Sequence, residues 1–281
     1  MKVLTQMEEK NALFREPSLW GHILRVWLDA HAALAEMTKA NRCFHIFWLS
    51  GPFILLIERS PADAWLTICA LTFLVRAIAK KQTDWLKLFW VKAVFVFWGV
   101  CLISAALSDL PTYSLGEAFI WIRFPLFAMA SCFWLARDKR LLYAMMGSTM
   151  VGLIIISIIL AAEIVLIGQQ GGRLTWPYGD LMPGNYLTKV GMPAFTVFVA
   201  LAVSSHRSIA LPASFISLFT ILISVLTGER INFLIRACGG ILAALVWKPK
   251  PSRLIGFVLA EILALLIIFL ANPMMSYRYV D

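Results

Sequence analysis

The sequence predicts an all-α fold: a polytopic helical membrane protein with about nine transmembrane helices. Three observations carry that prediction. First, 60% of the 281 residues are hydrophobic and the mean hydropathy is +0.80, whereas a soluble domain is about 45–50% apolar. Second, the apolar runs are continuous and long enough to cross a hydrocarbon core of ~30 Å as helices. They are not the short alternating segments of a membrane β-barrel. Third, most Lys and Arg residues fall in short segments between the runs, as loop charges do in membrane proteins.

Residues 1–41 form a polar cytoplasmic segment with one amphipathic stretch. Ser18 can cap a helix that carries Leu19, Trp20, Ile23, Leu24, Trp27 and Leu28 on one side, with Arg25 and Asp29 elsewhere. This pattern suits a helix lying among lipid headgroups, or equally a cytoplasmic helix packed on the membrane domain. No short apolar region directly follows the N-terminal charges, so a cleaved signal peptide is not expected.

The membrane domain is assigned to 42–271, with spans at about 43–57, 62–79, 86–108, 117–136, 141–168, 186–205, 209–227, 231–247 and 254–271. The fifth exceeds what a bilayer needs and is expected to tilt or protrude. Pro52, Pro125, Pro193 and Pro212 fall inside spans, where kinks are tolerated by neighbouring helices. Residues 272–281 begin an outer loop. No internal repeat is evident.

Loop charges set the orientation. Lys2, Lys10, Arg15, Arg25, Lys39, Arg42, Lys80, Lys81, Arg137, Lys139, Arg140, Arg207, Lys248, Lys250 and Arg253 share one side. Arg59, Arg173, Arg230 and Arg278 lie on the other, beside Glu58, Asp63, Asp109, Glu117, Asp180, Glu229 and Asp281. The positive-inside rule makes the first side cytoplasmic, with the N-terminus inside.

The net charge of +9 is therefore a topology signal. Nucleic-acid binding is excluded, because no basic run is interleaved with stacking aromatics in a soluble segment. The five cysteines lie in apolar spans without a C-x-x-C pair and read as small buried hydrophobes. The four histidines are scattered, so no metal site is expected.

Four cations oppose the charge rule by falling on the outward side: Arg123 in the fourth span, Arg173 in the loop after the fifth, Lys189 in the sixth and Arg230 between the seventh and eighth. Arg236 lies six residues further into the eighth. Arginine offers a planar fork that fits phosphate oxygens in pairs, and lysine a point charge. Together they suit a diphosphate at the outer leaflet. Singly, each can instead snorkel to the interface. Two carboxylates lie within spans: Glu163, a partner for one of the cations, and Glu261, near mid-membrane.

Three stretches resemble known motifs. Gly172-Arg173-Leu174, Gly179-Asp180 and Pro183-Gly184-Asn185-Tyr186-Leu187 resemble the outer-loop pattern of the bacterial O-antigen ligase and polymerase family. Thr227-Gly228-Glu229-Arg230, continuing to Leu234, resembles that family's arginine motif, and Ala106–Leu115 resembles its first outer loops.

The resemblance implies an inverting, metal-independent glycosyltransferase without cofactors, in the bacterial inner membrane with its active face periplasmic. Its donor would be an undecaprenyl-diphosphate-linked glycan, and its acceptor the lipid A core or another glycan. Arg230 would be the catalytic diphosphate anchor, with Arg173, Lys189, Arg123 and Arg236 binding the same group. Family members also carry a histidine in a large outer loop. This sequence reaches Asp281 where that loop would begin, which implies a fragment or a shortened, inactive member. The rival class is a membrane transporter or flippase for lipid-linked or amphipathic solutes, expected to show repeats and polar midplane sites.

Overall fold

The computed structural model describes residues 18–57, 59–168, 174–176, 183–228 and 231–271. Every regular element among them is helical: α1 Leu19–Ala35, α2 Lys39–Leu49, α3 Gly51–Ile57, α4 Arg59–Ala79, α5 Phe89–Ala106, α6 Pro111–Trp121, α7 Arg123–Ala130, α8 Lys139–Leu166, α9 Pro183–Ala202, α10 Arg207–Leu226, α11 Ile231–Trp247 and α12 Pro251–Ala271. A 3₁₀ turn covers Asp84–Lys87 and a π-turn Ser131–Leu135.

Each of the nine predicted spans coincides with a helix or helix pair. Fewer satisfy the physical requirements for crossing a bilayer. Ser60–Ala79, Phe89–Ala106, Pro111–Leu135, Lys139–Leu166 and Arg207–Leu226 are long and apolar enough, and the bent pair α2–α3 makes a sixth if it is one span. Among the described residues α9 and α11 also contribute the shorter apolar stretches Gly191–Ala202 and Leu234–Trp247. Among the described residues the chain is thus all-helical, with five to six helices long and apolar enough to cross a membrane.

The chain divides into two compact units: residues 1–32 with 143–281, and residues 33–142. In the second unit α4 packs on α7, and α5 on α6. The 46° bend between α2 and α3 has a local cause. Pro52 has no N–H for the preceding turn. The indole N–H of Trp65 donates to the carbonyl of Phe47 at 3.0 Å, and Ser50 Oγ to the same carbonyl at 2.8 Å. A side chain at Gly51 would meet Trp65 at 2.1 Å, so only glycine lets this indole approach. Pro125, by contrast, lies in the first turn of α7, where its missing N–H costs nothing.

In the first unit α9 packs on both α10 and α11, and α10 on α12. Val199, Ala213, Ala243 and Phe257, one from each of these four helices, share a core cluster. Elsewhere the outer surfaces are apolar, as lipid contact permits: only 11% of the α5 span is buried. This explains one departure from the sequence reading. All five cysteines are free, but only Cys69 is buried; Cys43, Cys132 and Cys238 are exposed. A small hydrophobe is at no disadvantage on a lipid-facing surface.

Candidate functional site

The stretch between α8 and α9 is tied down at its described residues. Leu174, fully buried, donates its backbone N–H to the carbonyl of Leu226 at 2.9 Å. The next two residues are held by Glu163. Its carboxylate, 2% exposed, accepts the N–H of Thr175 at 3.0 Å, the N–H of Trp176 at 2.9 Å and the hydroxyl of Thr175 at 3.3 Å. A buried carboxylate needs several donors, and here the loop backbone supplies them. The sequence reading made Glu163 available to partner one of the cations. Among the described residues its partners are backbone N–H groups and one hydroxyl.

Leu226 is the last residue of α10. There the helix ends on Gly228, whose φ of 75° is the left-handed conformation that closes helix C-termini with glycine. The Gly228 N–H donates to the carbonyl of Val225 at 2.9 Å. Thr227, fully buried, donates its hydroxyl to the carbonyl of Ser224 at 2.7 Å. Leu174 directly follows Arg173, and Leu226 precedes Arg230 by four residues. The Leu174–Leu226 bond therefore joins the two motif-bearing segments at residues next to their arginines.

Arg173 and Arg230 themselves lie outside the described residues, as does the side chain of Lys189, whose backbone lies in α9. The two remaining cations are described in full, and each has a partner. Arg123, the first residue of α7, sits in the second unit. Its Nη2 lies 3.1 Å from the Asp63 carboxylate, and its guanidinium covers the Phe124 ring at 5.0 Å. Its Nε is buried without a hydrogen bond among the described residues.

Arg236, assigned from sequence to the diphosphate, lies inside the first unit and is 5% exposed. Its Nη2 donates to Ser217 Oγ at 2.7 Å, to the Ser217 carbonyl at 3.2 Å and to the Glu261 carboxylate. The guanidinium stacks over Phe195 at 4.7 Å. One side chain of α11 thus engages α9, α10 and α12. Among the described residues its Nε and Nη1 have no hydrogen-bond partner, nor does the amide of Asn232 one turn earlier. Sequence reasoning singled out Arg236 and Glu261 separately, but not as a pair. Two opposite charges in consecutive apolar spans were the available signal.

Among the described residues no group of three or more His, Cys, Asp or Glu side chains converges to hold a metal ion. Comparison with protein-family models, with curated proteins and with solved structures finds no match to this chain.

Proposed function

We propose that this chain is the membrane part of a glycan ligase of the O-antigen ligase and polymerase type, in the bacterial inner membrane. It transfers a glycan from undecaprenyl diphosphate to the lipid A core or a similar acceptor, at the periplasmic face. In this reading α2–α3, α4, α5, α6–α7 and α8 to α12 are nine crossings, with the N-terminus cytoplasmic. The acceptor hydroxyl attacks the anomeric carbon, its proton passes to a base, and the bond to the diphosphate oxygen breaks with inversion. Arg230 anchors the departing diphosphate, and Arg173 and Lys189 share its charge. Such pre-placed cations stabilise the leaving group in the role a metal plays elsewhere.

The observation that carries this reading is the Leu174–Leu226 hydrogen bond of 2.9 Å. It couples the segment following Arg173 to the helix end preceding Arg230. The order of the motifs and their outward placement by the charge rule support the same conclusion. Arg123 and Arg236 contribute less directly, because both are already ion-paired.

The test is glycan transfer in membranes with matched protein levels. Arg230→Ala should lose a contact equivalent to roughly 10²–10³ in rate. Arg230→Lys should recover little, because a point charge does not reproduce paired contacts. Near-normal transfer by the lysine variant would refute the anchor.

The Arg236–Glu261 pair favours a second reading, a transporter or flippase for lipid-linked solutes, since ionisable pairs within the membrane often line transport pathways. Solute flux in proteoliposomes that vanishes in Arg236→Gln, with no glycan transfer by the wild type, would establish it instead.

A further inference from the structure

The end of α10 away from Leu226 borders a cavity of about 600 Å³. It lies within the first unit, between the C-terminal end of α9 and the first turns of α10 and α12. Arg207 and Arg253 line it, with Ser204, Ser205 and Ser214. These two arginines are its only charged lining residues. Neither makes an ion pair or a side-chain hydrogen bond among the described residues.

The local charge is uncompensated along the chain as well. Between Ala202 and Ala260 the only acidic residue in the sequence is Glu229, and Glu261 just beyond is paired with Arg236. Lys248 and Lys250 precede α12 and add to the positive charge. Both helices also begin here: Arg207 opens α10 and Pro251 opens α12. His206 precedes α10 without a side-chain cap hydrogen bond, and its carbonyl accepts the N–H groups of Ile209 and Ala210. Helix N-termini carry partial positive charge and favour anions, phosphate in particular.

We propose that this cavity is a binding site for a phosphate-bearing anion, gripped by Arg207 and Arg253 with the serine hydroxyls as further donors. The positive loops assign this end to the cytoplasmic side. There the ligand is an anionic phospholipid headgroup or a free phosphate, and basic pockets between helices are suited to such headgroups. The site is independent of the glycan-transfer reading, since it involves the opposite end of α10 and none of the residues proposed for the diphosphate.

The experiment is equilibrium binding to the purified chain in neutral detergent, with three probes: dioctanoyl-phosphatidylglycerol, dioctanoyl-phosphatidylcholine and inorganic phosphate. R207Q/R253Q should weaken the anionic probe at least tenfold, and K80Q/K81Q, on a loop of the other unit, should not change it. Gly256 lines the cavity, and a Cβ there meets no atom within 4 Å. G256D therefore places a carboxylate in the cavity without a clash and should give the same loss, while G256A should bind normally. G256D decides the matter if the double arginine variant does not fold. Arginine-dependent binding of phosphatidylglycerol alone identifies a lipid site. Equally arginine-dependent binding of inorganic phosphate identifies a free-phosphate site. Equal binding by the wild type and G256D, or by phosphatidylcholine and phosphatidylglycerol, would overturn the proposal.

Discussion

The backbone N–H of Leu174 donates to the carbonyl of Leu226 across 2.9 Å, joining two segments that the sequence separates by more than the whole of α9 and α10. The bond is backbone to backbone, so no side-chain change short of proline at position 174 removes it directly. What sustains it is Glu163, which gathers the next two N–H groups onto one buried carboxylate. Hydrogen bonds to a charged group contribute roughly 1.5–3 kcal/mol each.

Glu163→Gln is therefore expected to loosen this attachment. An amide accepts through one oxygen only and turns an N–H₂ toward the donors it should satisfy. Hydrogen exchange at Thr175 and Trp176 should accelerate by about one to two orders of magnitude, consistent with that energy range. Unchanged protection of both amides would show that Glu163 does not hold the loop.

Arg236 and Glu261 form a second connection, with side chains 6% and 16% exposed. Removing one member of a buried pair costs about 3–5 kcal/mol, because the survivor is left charged and unpaired. Glu261→Leu and Arg236→Met should each lower the thermal midpoint in detergent sharply. The double variant should recover most of the loss, since replacing both members is often neutral or stabilising. If the two losses simply add, the pair is not a coupled unit.

Arg140 supports a prediction about pH. Its guanidinium donates to both oxygens of Glu36, each at 2.9 Å, and to Asp138 at 2.9 Å. Asp138 also caps α8 by accepting the Arg140 N–H at 2.9 Å. These bonds hold Glu36 below its ordinary 4.5 and Asp138 below its ordinary 3.8. A carboxylate whose folded value is depressed contributes stability above its ordinary value and loses it as pH falls through the depressed one. Stability should thus fall on acidification below about pH 4.5, and the step should shrink in Arg140→Gln. All three groups are solvent-accessible, so the effect should be small and should diminish with salt. A step of equal size in Arg140→Gln would remove Arg140 as its cause.

Much of the architecture was legible because one property dominated. Apolar runs long enough to span a bilayer forecast a helix at each of the nine stretches, and Pro52, one of four prolines placed inside spans, lies at the 46° bend. Span length was less legible. Among the described residues five helices, or six if the bent pair is one span, are long and apolar enough to cross a membrane. Side-chain partnerships were least legible. Glu163 meets loop backbone twelve residues away and Arg236 meets a carboxylate twenty-five residues away. Both depend on how helices pack, which local pattern does not encode. The cationic cavity escaped notice for a different reason: Arg207 and Arg253 obey the positive-inside rule, and topology alone accounted for them.

The central claim is that Arg173 and Arg230 act on one diphosphate. Its most direct test is a double-mutant cycle on the binding of undecaprenyl diphosphate, using the wild type, Arg173→Ala, Arg230→Ala and the double variant. Residues sharing one ligand group should depart from additivity by about 0.5–3 kcal/mol. Losses that add to within about 0.3–0.5 kcal/mol, as for distant independent sites, would contradict the account.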